Sequence, residues 1–245
     1  MTQSKNPIFC AIDTTDIALA TRMAAQVSDY VGGLKLGLEF FCANGPEGVL
    51  EVSKASGKDI FLDLKLFDIP NTVAAAVKAV MPLKPRYLTL HTSGGRDMML
   101  AARKAVDEVT SEIAIAPPKL IGVTVLTSFD QSDLTDVGVT TDLTDQAKRL
   151  TDLAAEVGLD GIVCSAHEAA ILRQENGQLL RIVPGIRPPW HEAGDQKRIM
   201  GPKEALEQGA DILVIGRPIT HAASPSDAAF RLASDIGLSD TPYRA

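Results

Sequence analysis

Three short segments of this chain share one pattern: a glycine, one further residue and an aspartate, placed between a helical pattern and an apolar strand. They are Gly57-Lys58-Asp59, Gly158-Leu159-Asp160 and Gly209-Ala210-Asp211. Glycine is common just after the last turn of a helix, because it adopts the left-handed backbone conformation without a steric penalty. Two residues then suffice for a compact return to a sheet. The recurrence predicts a chain in which helices alternate with strands.

Apolar segments that predict strands recur along the whole chain. They cover residues 8–12, 33–37, 60–66, 87–90, 120–126, 161–164, 181–183 and 212–215. Segments between them predict helices, the clearest at 48–55, 73–80, 98–109, 143–157, 166–173 and 227–236. Eight strands alternating with about eight helices are typical of a (β/α)8 TIM barrel, here one domain spanning residues 1–245. A doubly wound open sheet is the alternative, but it normally has fewer strands and a glycine-rich first loop, and no G-x-G-x-x-G follows the first strand.

Composition and charge argue against several classes of protein. The net charge of −7 disfavours nucleic-acid binding, which needs a basic face, but is compatible with a small anionic ligand at a local arginine cluster. No apolar run approaches the roughly 18 residues needed to cross a bilayer, and residues 1–7 lack the features of a signal peptide. We therefore expect a cytoplasmic protein that does not bind membranes. Cys10, Cys42 and Cys164 are odd in number and widely spaced among apolar residues, which predicts buried reduced thiols rather than disulfides or a zinc site.

The third strand carries charges that an apolar strand does not normally tolerate. Asp63 and Lys65 are two residues apart and should therefore point to the same face, while Asp68 follows where Pro70 turns the chain out of the strand. Buried charges are costly unless they are paired or used. A structural salt bridge would explain one Asp–Lys pair equally well. The second acid and Thr72 at the strand exit favour a catalytic site.

Other polar residues also lie at the predicted carboxyl ends of strands, where the active sites of such barrels are found. They are Asp13 after the first strand, Lys35 in the second, His91 after the fourth and Thr127 after the fifth. A lone histidine such as His91 is more often a core or interface residue than a catalytic base, and its role stays open. The consistent placement of the set predicts one active site.

The loops after strands seven and eight contain glycines and arginines. The residues concerned are Gly185, Arg187, Gln196, Gly216 and Arg217. Many barrels bind phosphate at this position, where glycines let backbone N–H groups approach an oxyanion and guanidinium groups match phosphate geometry. Surface arginines beside turn glycines are the alternative. We expect a phosphorylated substrate.

The pattern Asp63-x-Lys65-x-x-Asp68-Ile69-x-x-Thr72 closely resembles the signature of the orotidine 5′-phosphate decarboxylase family. The resemblance extends to Asp13, Lys35, Thr127-Ser128, Pro184-Gly185-Ile186-Arg187, Asp195-Gln196-x-Arg198 and Gly216-Arg217-Pro218, so that it covers residues 8–236. One departure is Gly201 before Pro202, where the family commonly has threonine; glycine can also begin a helix.

The resemblance implies removal of CO2 from orotidine 5′-monophosphate to give uridine 5′-monophosphate, without metal or organic cofactor. Lys65 would stabilise the carbanion at carbon 6 and then protonate it, with Asp63 near the departing carboxylate. Lys35 and Asp68 would complete an alternating charge network around Lys65. The further implied contacts are Asp13 and Lys35 with the ribose, Thr127 and Ser128 with the pyrimidine, and Arg187, Gln196, Gly216 and Arg217 with the phosphate. Family members are homodimers, which implies that Asp68 and Thr72 reach the neighbouring site.

Two other functions share features of this sequence. A magnesium-dependent sugar-phosphate lyase or synthase on the same barrel shares the D-x-K-x-x-D core. A non-catalytic protein that binds a phosphorylated ligand would also use the glycine–arginine loops, but it would leave the charges of strand three unexplained. The long match outside the core favours the decarboxylase.

Overall fold

The computed structural model describes residues 6–113, 115–190 and 200–238. Its strands are β1 (Ile8–Ile12), β2 (Gly33–Gly37), β3 (Asp59–Leu66), β4 (Tyr87–His91), β5 (Lys119–Val123), β6 (Gly161–Val163), β7 (Leu180–Val183) and β8 (Ile212–Ile215). The helices described are α1 (Ile17–Val27), α2 (Leu38–Ser56), α3 (Pro70–Val80), α4 (Arg96–Glu112), α5 (Gln131–Asp136), α6 (Leu143–Glu156), α7 (Ala166–Glu175), α8 (Pro202–Glu207), α9 (Arg217–Thr220) and α10 (Pro225–Asp235).

The strands form a closed barrel in the order of the sequence, and β8 pairs with β1. Every pairing is parallel. Parallel strands require crossover connections, which the helices between consecutive strands provide. The predicted (β/α)8 barrel is confirmed.

Two apolar layers hold the barrel together. The inner layer fills the barrel with side chains from alternate strand positions, which are Phe9, Ala11, Phe61, Tyr87, Ile121, Ile182, Ile212 and Val214. A larger layer lies between the outer faces of the strands and the helices. Strands buried on both faces read as continuous apolar runs, which is why the strand segments were recognisable in the sequence.

The repeated Gly-x-Asp segments have two structural roles. Gly57, Gly158 and Gly209 have φ of +63°, +73° and +100°, as expected of glycines that end helices. Two of the aspartates, Asp160 and Asp211, link neighbouring strands at the amino-terminal end of the barrel. The Asp160 carboxylate accepts the Leu120 N–H of β5 at 2.8 Å, and that of Asp211 accepts the Arg181 N–H of β7 at 2.8 Å.

Helix α2 is longer than the prediction of 48–55, since it begins at Leu38 directly after β2. Gly45, with φ +61°, interrupts the helical backbone just before Pro46, and this break concealed the first half of the helix in the sequence. The same helix corrects one prediction about the thiols. Cys10 and Cys164 are buried, but Cys42 is exposed because it lies on the outer side of α2.

Other boundaries differ by smaller amounts. Strand β5 ends at Val123 rather than 126, and the short helices α5 and α9 were not predicted because each has too few residues for a periodic apolar pattern. Gly201 precedes α8 in an extended conformation, so glycine does begin that helix. Among the described residues, none of the helices has both the length and the hydrophobicity of a membrane-spanning segment.

Candidate active site

Charged side chains replace the apolar filling of the barrel toward the carboxyl ends of the first three strands. Lys35 pairs in register with Ala11 of β1 and Phe61 of β3, and Asp63 pairs with Gly37. Asp13 follows β1 at the same end. Residues two apart on one strand share a face. Asp63 therefore faces the barrel interior as Phe61 does, and Lys35 lies on the same face of β2 as Gly33.

These side chains form one chain of alternating charge. Lys35 Nζ lies 2.9 Å from Asp13 Oδ1 and 3.9 Å from Asp63 Oδ2. The same Asp63 Oδ2 is 2.7 Å from Lys65 Nζ. The side chains of Lys35 and Asp63 are only 12% and 11% exposed, whereas that of Lys65 is 30% exposed. The order is therefore Asp13, Lys35, Asp63, Lys65, and the last ammonium faces the open cavity.

Strand β3 departs from regular geometry at this point. Leu62 pairs with Leu88 and Leu66 with Leu90, so residues 63–65 of β3 lie opposite a single residue of β4, Thr89. Lys65 has φ +49°, which is uncommon for a residue other than glycine or asparagine. The Thr89 hydroxyl accepts the Lys65 N–H at 2.9 Å and donates to Asp63 Oδ1 at 2.9 Å.

Thr89 was not among the residues identified from the sequence. Its only signal there is a hydroxyl inside the apolar strand Tyr87–His91, at the position that alternation turns toward the barrel interior.

A cavity of about 250 Å³ opens above the charged chain. Predicted site residues that line it are Asp13, Lys35, Asp63, Lys65, Thr127, Arg187, Gly216 and Arg217, together with Gly185. Apolar side chains from the inner layer, Phe61, Ile182 and Val214 among them, form its floor. The cavity combines an apolar base with a few convergent polar groups, as small-molecule sites do.

The side of the cavity formed after β7 and β8 carries the arginines. Gly185 has φ +77°, a conformation that favours glycine. Arg187 is buried; its N–H bonds to the Met200 carbonyl at 3.0 Å and its Nη1 donates to the Ile186 carbonyl at 2.9 Å. Arg217 follows Gly216 as the first residue of α9. Two guanidinium groups and two glycines are thus brought to one wall, as the sequence predicted.

Three predicted residues do not line the cavity within this chain. Asp68, Thr72 and Ser128 are exposed. The Asp68 carboxylate accepts its neighbour's N–H, that of Ile69, at 2.6 Å. Within one polypeptide, the second carboxylate in the series of alternating charges is that of Asp13 and not that of Asp68. Gln196 lies outside the described residues.

Two titratable groups next to the site have perturbed pKa values. Burial lowers the pKa of His91 below its usual 6.5, the charge of Lys65 lowers it further, and Asp63 acts in the opposite direction. The His91 ring lies 5.6 Å from the ring of Phe67, and His91 is not among the residues that line the cavity. Burial raises the pKa of the Cys10 thiol to about 12, with a smaller contribution from Asp13.

Among the described residues no three His, Cys, Asp or Glu side chains are grouped as a metal site would require.

Known proteins are similar in sequence to most of the chain. The family model "Orotidine 5′-phosphate decarboxylase / HUMPS family" matches residues 6–232. The chain is 54% identical to the orotidine 5′-phosphate decarboxylase of Rhodospirillum rubrum over 95% of both chains. It is 51% identical to that of Paramagnetospirillum magneticum over 95% of this chain and 99% of the relative.

Solved structures agree with the fold. The orotidine 5′-phosphate decarboxylase of Lactobacillus acidophilus superposes with a TM-score of 0.82 at 31% identity, covering 95% of this chain and 99% of that one. The decarboxylase of Methanocaldococcus jannaschii, in complex with the inhibitor BMP, shares the fold with a TM-score of 0.74 at 22% identity, over 95% and 99% of the two chains. The chain belongs to the orotidine 5′-phosphate decarboxylase / HUMPS family.

Proposed function

We propose that the chain converts orotidine 5′-monophosphate to uridine 5′-monophosphate and CO2, the last step of UMP biosynthesis, without metal or organic cofactor. The observation that carries this proposal is that Lys65, at the end of an alternating series of charges, lines the same cavity as Arg187 and Arg217. The relatives of similar sequence and length are named for this activity.

The chemical difficulty is localised charge. When the bond between carbon 6 and the carboxylate breaks, its electron pair stays on carbon 6 in the plane of the ring and cannot delocalise into the π-system. A fixed positive charge beside that carbon stabilises the transition state. The Lys65 ammonium fits this role. It then transfers a proton to carbon 6, becomes a neutral amine, and regains a proton from water.

The neighbours of Lys65 keep the ammonium charged and directed. Asp63 lies 2.7 Å from Lys65 Nζ and would be close to the departing carboxylate. Lys35 stands between Asp13 and Asp63, so the two acids do not face each other without an intervening positive charge. Asp13 and Lys35 would also contact the ribose hydroxyls, and Thr127 and Ser128 the pyrimidine.

The opposite wall would hold the phosphate. The described residues assigned to the phosphate are Arg187, Gly216 and Arg217; the family resemblance adds Gln196. Arginine forks bind phosphate oxygens in pairs, and glycine leaves the backbone accessible. Because the phosphate is remote from carbon 6, its binding energy can contribute to organising the site around the reacting ring.

The decisive assay follows the loss of orotidine 5′-monophosphate absorbance. Lys65→Ala should lower kcat by at least about 10²–10⁴-fold, since it removes both the charge and the proton donor. Lys104→Ala is the matched control, because Lys104 is 78% exposed on α4 and should leave kcat unchanged. The wild-type rate should not respond to EDTA, whereas a magnesium-dependent sugar-phosphate enzyme would lose activity. Substantial turnover by a folded Lys65→Ala variant would refute the assignment.

We further propose that the enzyme works as a homodimer in which Asp68 and Thr72 complete the partner's site. Phe67 and Ile69, on either side of Asp68, are 62% and 66% exposed, and apolar side chains this exposed are often covered by a partner. To test this idea, the inactive variants Asp68→Ala and Lys65→Ala are mixed in equal amounts, allowed to exchange subunits, and assayed for recovered activity. In a two-fold dimer about a quarter of all sites then regain both residues. If Asp68 acted within its own chain, no activity would return.

A further inference from the structure

We propose that Thr89 is a positioning residue for the decarboxylation: its hydroxyl sets both the backbone of Lys65 and the orientation of the Asp63 carboxylate. The inference builds on the proposed function. Thr89 does not line the cavity, and it would act only through Asp63 and Lys65.

Thr89 occupies a place where a hydroxyl needs a specific purpose. It is fully buried on β4 and lies on the face turned toward the barrel interior, opposite to the face of Leu88 and Leu90. A hydroxyl in such surroundings is costly unless its hydrogen bonds are made. A valine would fill nearly the same volume without that cost, so packing alone does not account for threonine.

One hydroxyl serves two parts of the charged chain. As a donor it bonds to Asp63 Oδ1 at 2.9 Å. Because this bond engages Oδ1, the other oxygen, Oδ2, is directed at Lys65 Nζ (2.7 Å) and Lys35 Nζ (3.9 Å). The carboxylate plane is thereby set by a neutral group that does not compete with either ammonium.

As an acceptor, the same hydroxyl holds the irregular stretch of β3. The N–H of Lys65 donates to Thr89 Oγ1 at 2.9 Å. This contact lies where residues 63–65 bulge opposite Thr89 and where Lys65 has φ +49°. Unusual backbone conformations of this kind persist only where the surroundings hold them. Thr89 therefore controls where the Lys65 side chain leaves the strand and where its ammonium lies in the cavity.

The test compares variants in the decarboxylation assay. Thr89→Val keeps the shape and removes both hydrogen bonds; we expect kcat to fall by about 100-fold, the order of effect of small misplacements of reacting groups. KM and inhibition by the product UMP should change little, because the phosphate wall is untouched. Thr89→Ser keeps the hydroxyl and should restore most of kcat. Thr151→Val is the matched control, since Thr151 is equally buried but its hydroxyl bonds to the Ala147 carbonyl within α6.

The outcomes separate the inference from the function on which it rests. A wild-type protein that does not decarboxylate orotidine 5′-monophosphate overturns both. An active wild type with kcat unchanged in Thr89→Val, or with Thr89→Ser no better than Thr89→Val, overturns the positioning role alone. An equal loss of kcat in Thr151→Val would assign the effect to stability. If Thr89→Val does not fold, Thr89→Ala against Thr89→Ser makes the same comparison, and equal kcat values in that pair refute the role.

Discussion

The aspartate of the last Gly-x-Asp segment should be critical for stability and dispensable for catalysis. Asp211 Oδ2 accepts the main-chain N–H of Arg181 at 2.8 Å and its Nη2 at 2.6 Å. The Arg181 side chain is only 6% exposed, and its other hydrogen bond is from Nε to the Gly209 carbonyl at 2.7 Å. Asp211→Ala would thus remove the carboxylate that faces a buried guanidinium, and with it one of the hydrogen bonds between β7 and the start of β8.

The size of the effect follows from burial. Removing one partner of a buried ion pair typically costs about 3–5 kcal/mol, because the other charge remains desolvated. Asp211 itself is 34% exposed, so water already weakens the pair. We therefore expect a loss of about 3 kcal/mol in the free energy of unfolding, at the lower end of that range.

The equivalent aspartate of the middle segment is the matched control. Asp160 Oδ2 accepts the Leu120 N–H at 2.8 Å and Arg103 Nη2 at 2.6 Å, and Arg103, like Arg181, also bonds to a glycine carbonyl. The difference is burial, since the Arg103 side chain is 24% exposed. Asp160→Ala should cost about 1–2 kcal/mol, the scale of lost hydrogen bonds to a charged group that keeps access to water.

Urea unfolding of wild type and both variants, analysed with a common m-value, gives the loss in the free energy of unfolding for each substitution. The kcat of each folded variant should equal that of wild type, because neither aspartate lines the catalytic cavity. Equal destabilisation by the two substitutions, or a loss below about 1 kcal/mol for Asp211→Ala, would refute the argument from burial.

Three further predictions concern the core, the thiols and the pH dependence. Phe9→Ala should lower the free energy of unfolding by about 3–5 kcal/mol in urea titrations, since the Phe9 ring is buried and contacts that of Tyr87 edge-on at 5.5 Å; a loss under about 1 kcal/mol would contradict this. A thiol reagent at pH 8 should modify Cys42 alone in the native protein and all three cysteines after unfolding; rapid native labelling of Cys10 would contradict its burial. Because the pKa of His91 is lowered in the folded protein, the unfolded chain binds the proton first as pH falls. The free energy of unfolding of the wild type should therefore fall below about pH 6.5, and that of His91→Gln should fall less steeply. Identical slopes of the free energy of unfolding against pH would rule out this contribution.

The sequence alone determined the architecture, because both faces of each strand are buried and the strands therefore appear as apolar runs. The repeated glycines marked where helices end, and their positive φ values confirm that interpretation. Charges at the ends of such runs also marked the site. Lys35, Asp63 and Lys65 are conspicuous because apolar strands exclude charge unless it is paired. The family resemblance added roles that periodicity alone does not supply.

Tertiary structure decided which groups meet. Asp13 meets Lys35 because of the register between β1 and β2. That register depends on the packing of the whole barrel and not on residues near either side chain. Thr89 gains its importance only because an irregularity in β3 brings residues 63–65 against it, and no local pattern in β4 signals an event on another strand. Asp160 and Asp211 of the Gly-x-Asp segments likewise bond to strands that precede them by many residues. Local periodicity records which face of an element is buried, whereas hydrogen bonds between strands depend on the closed barrel.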